Sequence, residues 1–517
     1  MITALASLLL AATAAATPVV RPSPVAASSS LRPKLILALT IDQFRYDYLT
    51  RFRSEYSGGL RRLLDRGAVF TRARYQHFPT VTAIGHSTYL SGALPALSGI
   101  IGNDWYDRST GRTVTSVSDP TEKIVGGTGE GASPRRLLVS TVGDELKIAT
   151  GSKAKVIGLS LKDRSAILPA GHMADVALWY DARTGRFVTS TFYAAALPDW
   201  VARFDDEGKA DGYLGASWKG GDLPNEAGPA FYGAVYGSPF GNDLLEALAE
   251  RAVEAERLGQ RGETDLLAVS FSSNDAVGHD KGPDSPEVRD ISIQTDRTLG
   301  RLFAYLDGRI GMRNVLVTLT ADHGVASVPE VEVERRMPGG RMAAGSVRDA
   351  VQAALVQRFG DGQWIVSTSD HSIYVDRQLV AAKKLDLDQV QDTAKAAAEA
   401  VPHVLRAYTL HELLAGTATG DPLGGPLSRS VQGQRTADVQ VVLEPYWMFA
   451  AHGTTHGSLY GYDTHVPVIF MGPGIRSGTY RNEITVNDVA PTLSEILGVE
   501  TPSGAAGRVL DEVLAIR

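Results

Sequence analysis

No cysteine occurs in the 517 residues of this chain. That excludes disulfides, a cysteine nucleophile and any group made by oxidising one, and it restricts a metal site to histidine and carboxylate ligands. A basic excess is missing too: 51 Lys and Arg against 58 Asp and Glu give a formal net charge of -7. No Lys/Arg run supplies the stripe expected of a general nucleic-acid binder. Beyond the N-terminal segment there is no stretch of roughly 20 apolar residues, the length needed to span a bilayer. The composition, 44% hydrophobic and 21% charged, is that of an ordinary globular protein and not of a disordered or fibrous one. At this length we expect two domains or one large body carrying insertions, because single cores stop growing near roughly 250 to 300 residues.

The N-terminus, MITALASLLLAATAAAT, is apolar and Ala-rich. Residues 1–17 read as a signal peptide with small residues suited to cleavage near Ala14 to Thr17, though without the basic residues that usually open one. A Pro/Ser-rich linker over 18–33 follows, so a main body is expected over 34–517. An exported chain with no spanning segment is expected in the periplasm or outside the cell, without stable membrane insertion.

Short apolar, β-branched runs recur: Leu35 to Ile41, Val156 to Ser160, Leu266 to Phe271, Val315 to Thr320 and Val466 to Met471. Runs this continuous predict strands buried on both faces of a parallel sheet. Helical periodicities lie between them at Asn242 to Leu258, Pro286 to Leu306 and Val486 to Leu497. The alternation predicts an α/β layered core. Two regions break the rhythm. Residues 173–235, rich in aromatics and Gly, read as a loop-rich insertion. Residues 330–450, with helices at Val347 to Phe359 and Leu387 to Ala400 around a strand-like WIVSTSDHSIYV, read as a small α+β cap subdomain.

In open parallel sheets, functional groups gather beyond the carboxyl ends of the strands. After LILALTI comes Asp42. After LLAVSF come Asp275 and His279, four residues apart, and after VLVTLT come Asp322 and His323. Before VPVIFM stands GTTHGSLYGYDTH with His452, His456 and His465. Any one of these residues reads equally well as a cap, a turn former or a structural histidine. Jointly they offer three carboxylates and three imidazoles at the ends of one sheet, enough for two metal ions, for which zinc is the expected occupant. A further stretch, FPTVTAIGH, puts Thr80 and Thr82 just before a helix-like segment. Hydroxyls there are ordinary helix caps, so the stretch alone does not say whether either is a nucleophile.

The set Asp42, FPTVTAIGH, DAVGH, ADHG and THGS, in this order, resembles the alkaline phosphatase superfamily in its type I phosphodiesterase/nucleotide pyrophosphatase branch. The resemblance covers nearly the whole chain after the linker, including the closing NDVAPTLSEILGVETPSGAAGRVL. It implies an alkaline-phosphatase-like fold, a mostly parallel sheet flanked by helices. It implies Thr82 as the nucleophile, with Thr80 as its neighbour in the turn. It also implies one metal held by Asp275, His279 and His456, and another by Asp42, Asp322, His323 and the Thr82 hydroxyl, two Zn2+ in all. His465 then fits a supporting role.

The same metal pair serves diesterases, so the reaction turns on groups that meet the non-bridging phosphate oxygens. A monoester dianion rewards extra cationic donors. The segment GLSLKDRSAILPAGH, if extended, points Lys162 and Arg164 the same way. It resembles the threonine-nucleophile alkaline phosphatases of the branch, which implies that Lys162 and Arg164 bind phosphate together with the side-chain amide of Asn103. Trp179 and Tyr180 are expected in the core or at its rim. Ala276 stands where relatives often carry a larger residue, which is expected to alter the pocket wall. The implied activity is hydrolysis of a broad range of small phosphate monoesters through a phosphothreonine, by a monomer, with side activity on diesters. The alternative is a phosphodiesterase/nucleotide pyrophosphatase on the same scaffold. A phosphomutase-like enzyme of the superfamily would carry a Ser nucleophile segment, and a sulfatase an oxidisable Cys or Ser at position 82; this chain has neither.

Overall fold

This computed structural model describes residues 32–369 and 371–515. The signal peptide expected over 1–17, and all of the linker but residues 32 and 33, lie outside them. An eleven-stranded mixed sheet forms the body. At its centre lie five parallel strands: β1 (Leu35–Ile41), β2 (Val156–Ser160), β3 (Val176–Asp181), β4 (Asp265–Phe271) and β5 (Val315–Thr320). Their spatial order is β5-β1-β4-β2-β3. All seven residues of β1 are buried. This is why its sequence is unbrokenly apolar, each fully buried Leu or Ile contributing about 1.5–3 kcal/mol.

Three expectations are corrected. The run at Val466 to Met471 is a strand, β6 (Val468–Met471), but it pairs antiparallel with β5. Continuous apolar sequence reports burial on both faces and carries no direction. Residues 173–235 are not loop-rich from their start: β3 and the strand Arg186–Ser190 belong to the main sheet, joined by a turn in which Gly185 takes φ 73°. Aromatic strand residues disguised this region, Trp179 and Tyr180 being buried within β3. The segment after β2 is not extended. Lys162 is the last extended residue, and α2 (Asp163–Ala170) begins immediately after it, with Arg164 in its first turn.

Two more helices set the site. α1 (Thr82–Ser91) is buried along its whole length and ends at Gly92 in the left-handed region. It packs so closely on the end of β5 that a Cβ at Gly85 would lie 2.2 Å from the Asp322 carbonyl oxygen. α3 (Ser273–Lys281) starts two residues beyond β4, and its i, i+4 spacing puts Asp275 and His279 on one face. Residues 340–449 contain a separate four-stranded antiparallel sheet, in the order 365–369, 372–375, 439–443, 404–409, with helices Ser346–Phe359 and Leu387–Glu399. These elements share their own apolar core around Val351, Trp364 and Val390.

Candidate active site

Because β5, β1, β4 and β2 are neighbours and parallel, the residues that follow them line up along one edge. Asp322 and His323 come first, then Asp42, then Asp275, then Lys162, spread over roughly 14 Å at the usual strand spacing of about 4.8 Å. His456 joins them from the loop before β6. Its ring stacks on His323 with centroids 3.4 Å apart and lies 5.0 Å from the ring of His279. The structure therefore brings His456 to the cluster and neither of its neighbours. His452 is exposed, while His465 is stacked on Tyr46 and bonded at Nε2 to the Thr71 carbonyl, 3.0 Å away.

Each imidazole is aimed in the same way. The Nδ1 atoms of His279, His323 and His456 face the backbone carbonyls of Thr454, Gly324 and Thr80 at 2.8, 2.9 and 2.8 Å. Nδ1 is thereby the donor, and Nε2 is turned toward the carboxylates. His279 Nε2 lies 3.2 Å from Asp275 Oδ1 and His456 Nε2 3.9 Å from the same atom. His323 Nε2 lies 3.4 Å from Asp322 Oδ2 and 3.7 Å from Asp42 Oδ1. Donor atoms of Asp42, Asp322 and His323 all fall within 4.8 Å of one another, as do those of Asp275, His323 and His456. A tetrahedral ion with ligands at ~2.0–2.1 Å requires such atoms about 3.3 Å apart, so a small closure of these sets suffices.

The electrostatics fit cations. Asp42 Oδ1 and Asp322 Oδ2 are buried and have no hydrogen-bond donor among the described residues, a state that costs ~1–3 kcal/mol per atom, and more for a charged group, unless something pairs with it. Burial, with Asp322 beside it, pushes the Asp42 carboxyl well up. Burial pushes the His456 imidazole well down and, with the help of nearby His323 and His279, keeps it neutral; burial likewise lowers His323. Neutral imidazoles beside carboxylates with unsatisfied oxygens are the donor set a divalent metal requires. Lys162 Nζ lies 2.6 Å from both Asp42 Oδ2 and Asp275 Oδ2. Burial opposes its charge, but Asp275 and Asp42 outweigh that and hold its pKa above the ordinary lysine value.

Thr82 is the first residue of α1. It is buried, and its Oγ1 lies 3.3 Å from His323 Nε2. Thr80 instead donates its hydroxyl to the Ser458 carbonyl at 2.6 Å, while its own carbonyl holds His456. His86, the one histidine in that stretch, is no base for Thr82: its Nδ1 faces the Thr82 carbonyl and Asp322, its Nε2 Ser270 Oγ. Asn103 Oδ1 accepts the Ala83 N–H at 2.9 Å, so the carboxamide is oriented with its amide away from that bond. Arg164 Nε is buried with no hydrogen-bond acceptor among the described residues, and one guanidinium nitrogen lies 3.6 Å from Asp163. Ala276 is half-buried and does not line the cavity above the cluster.

Sequence reasoning missed Gln43. Its backbone N–H donates to Asp322 Oδ1 at 3.0 Å and its side-chain amide to Asp275 Oδ1 at 2.7 Å, tying the two sets together. It does so at φ 60°, the left-handed region, which glutamine seldom occupies. The signal was in DAVGH: a Cβ at Gly278 would lie 1.8 Å from Gln43 Oε1, so a larger residue there would push the glutamine amide out of its place.

A parallel-centred sheet with this cluster beyond its strand ends defines an α/β protein of the alkaline-phosphatase type. The chain belongs to the type I phosphodiesterase / nucleotide pyrophosphatase family, whose model matches residues 36–465. Among curated proteins it is 35% identical to the alkaline phosphatase PafA of Elizabethkingia meningoseptica, over 93% of this chain and 95% of that protein. It is 36% identical to the alkaline phosphatase PhoV of Synechococcus elongatus, over 93% of each. The crystal structure of wild-type PafA superposes with a TM-score of 0.88, covering 94% of this chain and 99% of that one. A PafA form substituted at one threonine, one asparagine, one lysine and one arginine superposes equally well.

Proposed function

We propose that this chain is a metal-dependent phosphate monoester hydrolase, an alkaline phosphatase, that works through a phosphothreonine at Thr82. The observation that carries the reading is Lys162, a buried ammonium against Asp42 and Asp275 with Arg164 two residues on. Two cationic side chains and the Asn103 amide beside a nucleophile suit the dianionic group of a monoester better than the monoanion of a diester. The naming of relatives as alkaline phosphatases supports it, as does the PafA form altered at the same four residue types.

Asp275, His279 and His456 would hold one ion, and Asp42, Asp322, His323 and the Thr82 hydroxyl the other. Two Zn2+ held there supply the Lewis acidity that lowers the pKa of a hydroxyl and stabilises charge on attacking and leaving oxygens. The chain's own residues do the rest. Thr82 sits at a helix N-terminus, where the partial positive charge favours the anionic form of its oxygen. Asn103, Lys162 and Arg164 bind the non-bridging oxygens and hold phosphorus in line with Oγ1. The Oγ1–P bond forms as the bond to the alcohol breaks. Water then attacks phosphorus, releases inorganic phosphate and returns the Thr82 hydroxyl. The Ala-rich leader supports export to the periplasm or beyond.

The test is hydrolysis of an aryl phosphate and its methyl diester by zinc-loaded protein and by Lys162→Ala and Arg164→Ala. We expect a monoester preference that collapses by about 10^2-fold or more in the variants while diester turnover persists. A diester preference that the variants leave alone would establish the phosphodiesterase instead.

A further inference from the structure

Above the cluster lies a cavity of about 450 Å3, within the range of small-molecule sites. Its floor includes His279, His456 and Asn103. Its roof comes from the inserted sheet of residues 340–449, whose two faces differ. On the strands Ser372–Val375 and Val439–Leu443, Ile373, Val375, Val439 and Val441 turn into the insertion's own apolar core. The alternate residues Ser372, Tyr374 and Gln440 line the cavity. Ser372 and Gln440 are cross-strand partners, so their side chains share a face. The Ser372 hydroxyl donates to Gln440 Oε1 at 3.2 Å, which fixes the direction of the carboxamide.

We propose that this polar face is a subsite for the alcohol half of the substrate, selecting esters of neutral, hydroxyl-rich alcohols, sugar phosphates in particular. The proposal rests on the phosphatase reading and adds its substrate class. A phosphoryl group held between Thr82 and Asn103 has its alcohol on the side of His279 and His456, which is where the cavity opens. The wall supplies hydroxyls and a carboxamide, groups that exchange hydrogen bonds with sugar hydroxyls in either direction. Among the described residues no lysine or arginine lines the cavity, so a second anionic group on the substrate finds no cationic side chain there. Phe78, which lines the cavity, is 2% exposed and sits in a T-shaped contact with His371, centroids 5.0 Å apart, so it offers no open face on which a base could stack.

The experiment measures kcat and KM of zinc-loaded protein for glucose 6-phosphate, for 3-phosphoglycerate as an ester with a second anion, and for 4-nitrophenyl phosphate. Gln440→Leu and Ser372→Ala are measured alongside, and their aryl phosphate rates report whether they fold. We expect glucose 6-phosphate to exceed 3-phosphoglycerate in kcat/KM by about tenfold or more. Each variant should raise KM for glucose 6-phosphate by about three- to tenfold at unchanged kcat, the loss of one neutral hydrogen bond. The aryl phosphate KM should stay within about twofold. Equal changes for sugar and aryl esters, no change for either, or a preference for 3-phosphoglycerate would overturn the subsite alone. No monoester turnover by the unaltered chain would overturn the phosphatase reading and the subsite with it.

Discussion

The two halves of the carboxylate and imidazole cluster differ in how they meet water. Asp42, Asp322 and His323 have no exposed side-chain surface, being covered by α1, whose His86 faces Asp322, and by Gln43. In the other half, Asp275 and His456 are nearly buried, but 37% of the His279 side chain is exposed on the cavity floor. The enclosed half shares its space with the Thr82 hydroxyl and the open half with whatever occupies the cavity. In the displacement proposed above, the first would receive the attacking oxygen and the second the leaving one, so enclosure and exposure would follow the two roles.

The comparison can be broken most decisively at its enclosed end. Thr82→Ala is expected to lower kcat for an aryl phosphate by about 10^3-fold or more while two metal equivalents remain bound by elemental analysis. Activity within tenfold of the parent would remove Thr82 from the role of nucleophile. His279→Ala should bind close to one equivalent in place of two, because the enclosed ligands are untouched; loss of both ions would mean that the halves are not independent. Gln43→Ala tests the bridge more gently. It removes the bond to Asp275 but keeps the backbone bond to Asp322, so metal affinity should weaken by about 10- to 100-fold in the open half only, seen as one shifted phase in a chelator titration.

The smallest effect concerns Asp463, whose carbonyl accepts from Gly324 N–H on the enclosed side at 2.7 Å. Burial raises its carboxyl to about 7 despite two hydrogen bonds from Ser458. A raised carboxyl pKa means that the folded state favours the protonated form. Its stabilising contribution is complete below the unfolded pKa of about 3.9 and fades as pH climbs through about 7. Asp463→Asn should therefore raise Tm by about 2 °C at pH 9 and by less than half as much at pH 5. A gain equal at both values would show that the folded carboxyl is already ionised at pH 5 and that its pKa is not raised.

Much of this was legible because each core strand is a short apolar run that stops at a residue with chemistry. LILALTI stops at Asp42 and VLVTLT just before Asp322, and a parallel sheet lines such ends up. What was not legible has physical reasons. Strand direction leaves no mark on a doubly buried run, which hid the antiparallel pairing of β6. Lysine is not a capping residue, so nothing announced that α2 starts beyond Lys162, and the shared direction expected of Lys162 and Arg164 rested on an extended segment that does not exist. Gln43 escaped because a left-handed glutamine is a property of the fold, held by Asp275 and Asp322 from 232 and 279 residues away. The choice among His452, His456 and His465 could not be made from spacing, since it depends on which ring the Thr80 carbonyl captures.

That carbonyl belongs to a set of three, each steering one imidazole. Every amino acid brings the same carbonyl to its place in the chain, so no exchange of the residues that bear these acceptors removes them. Mutational drift at Thr80, Gly324 or Thr454 is therefore buffered as far as ring orientation goes. The aim of the histidines is inherited with the path of the backbone, and the surrounding side chains are left free to diverge.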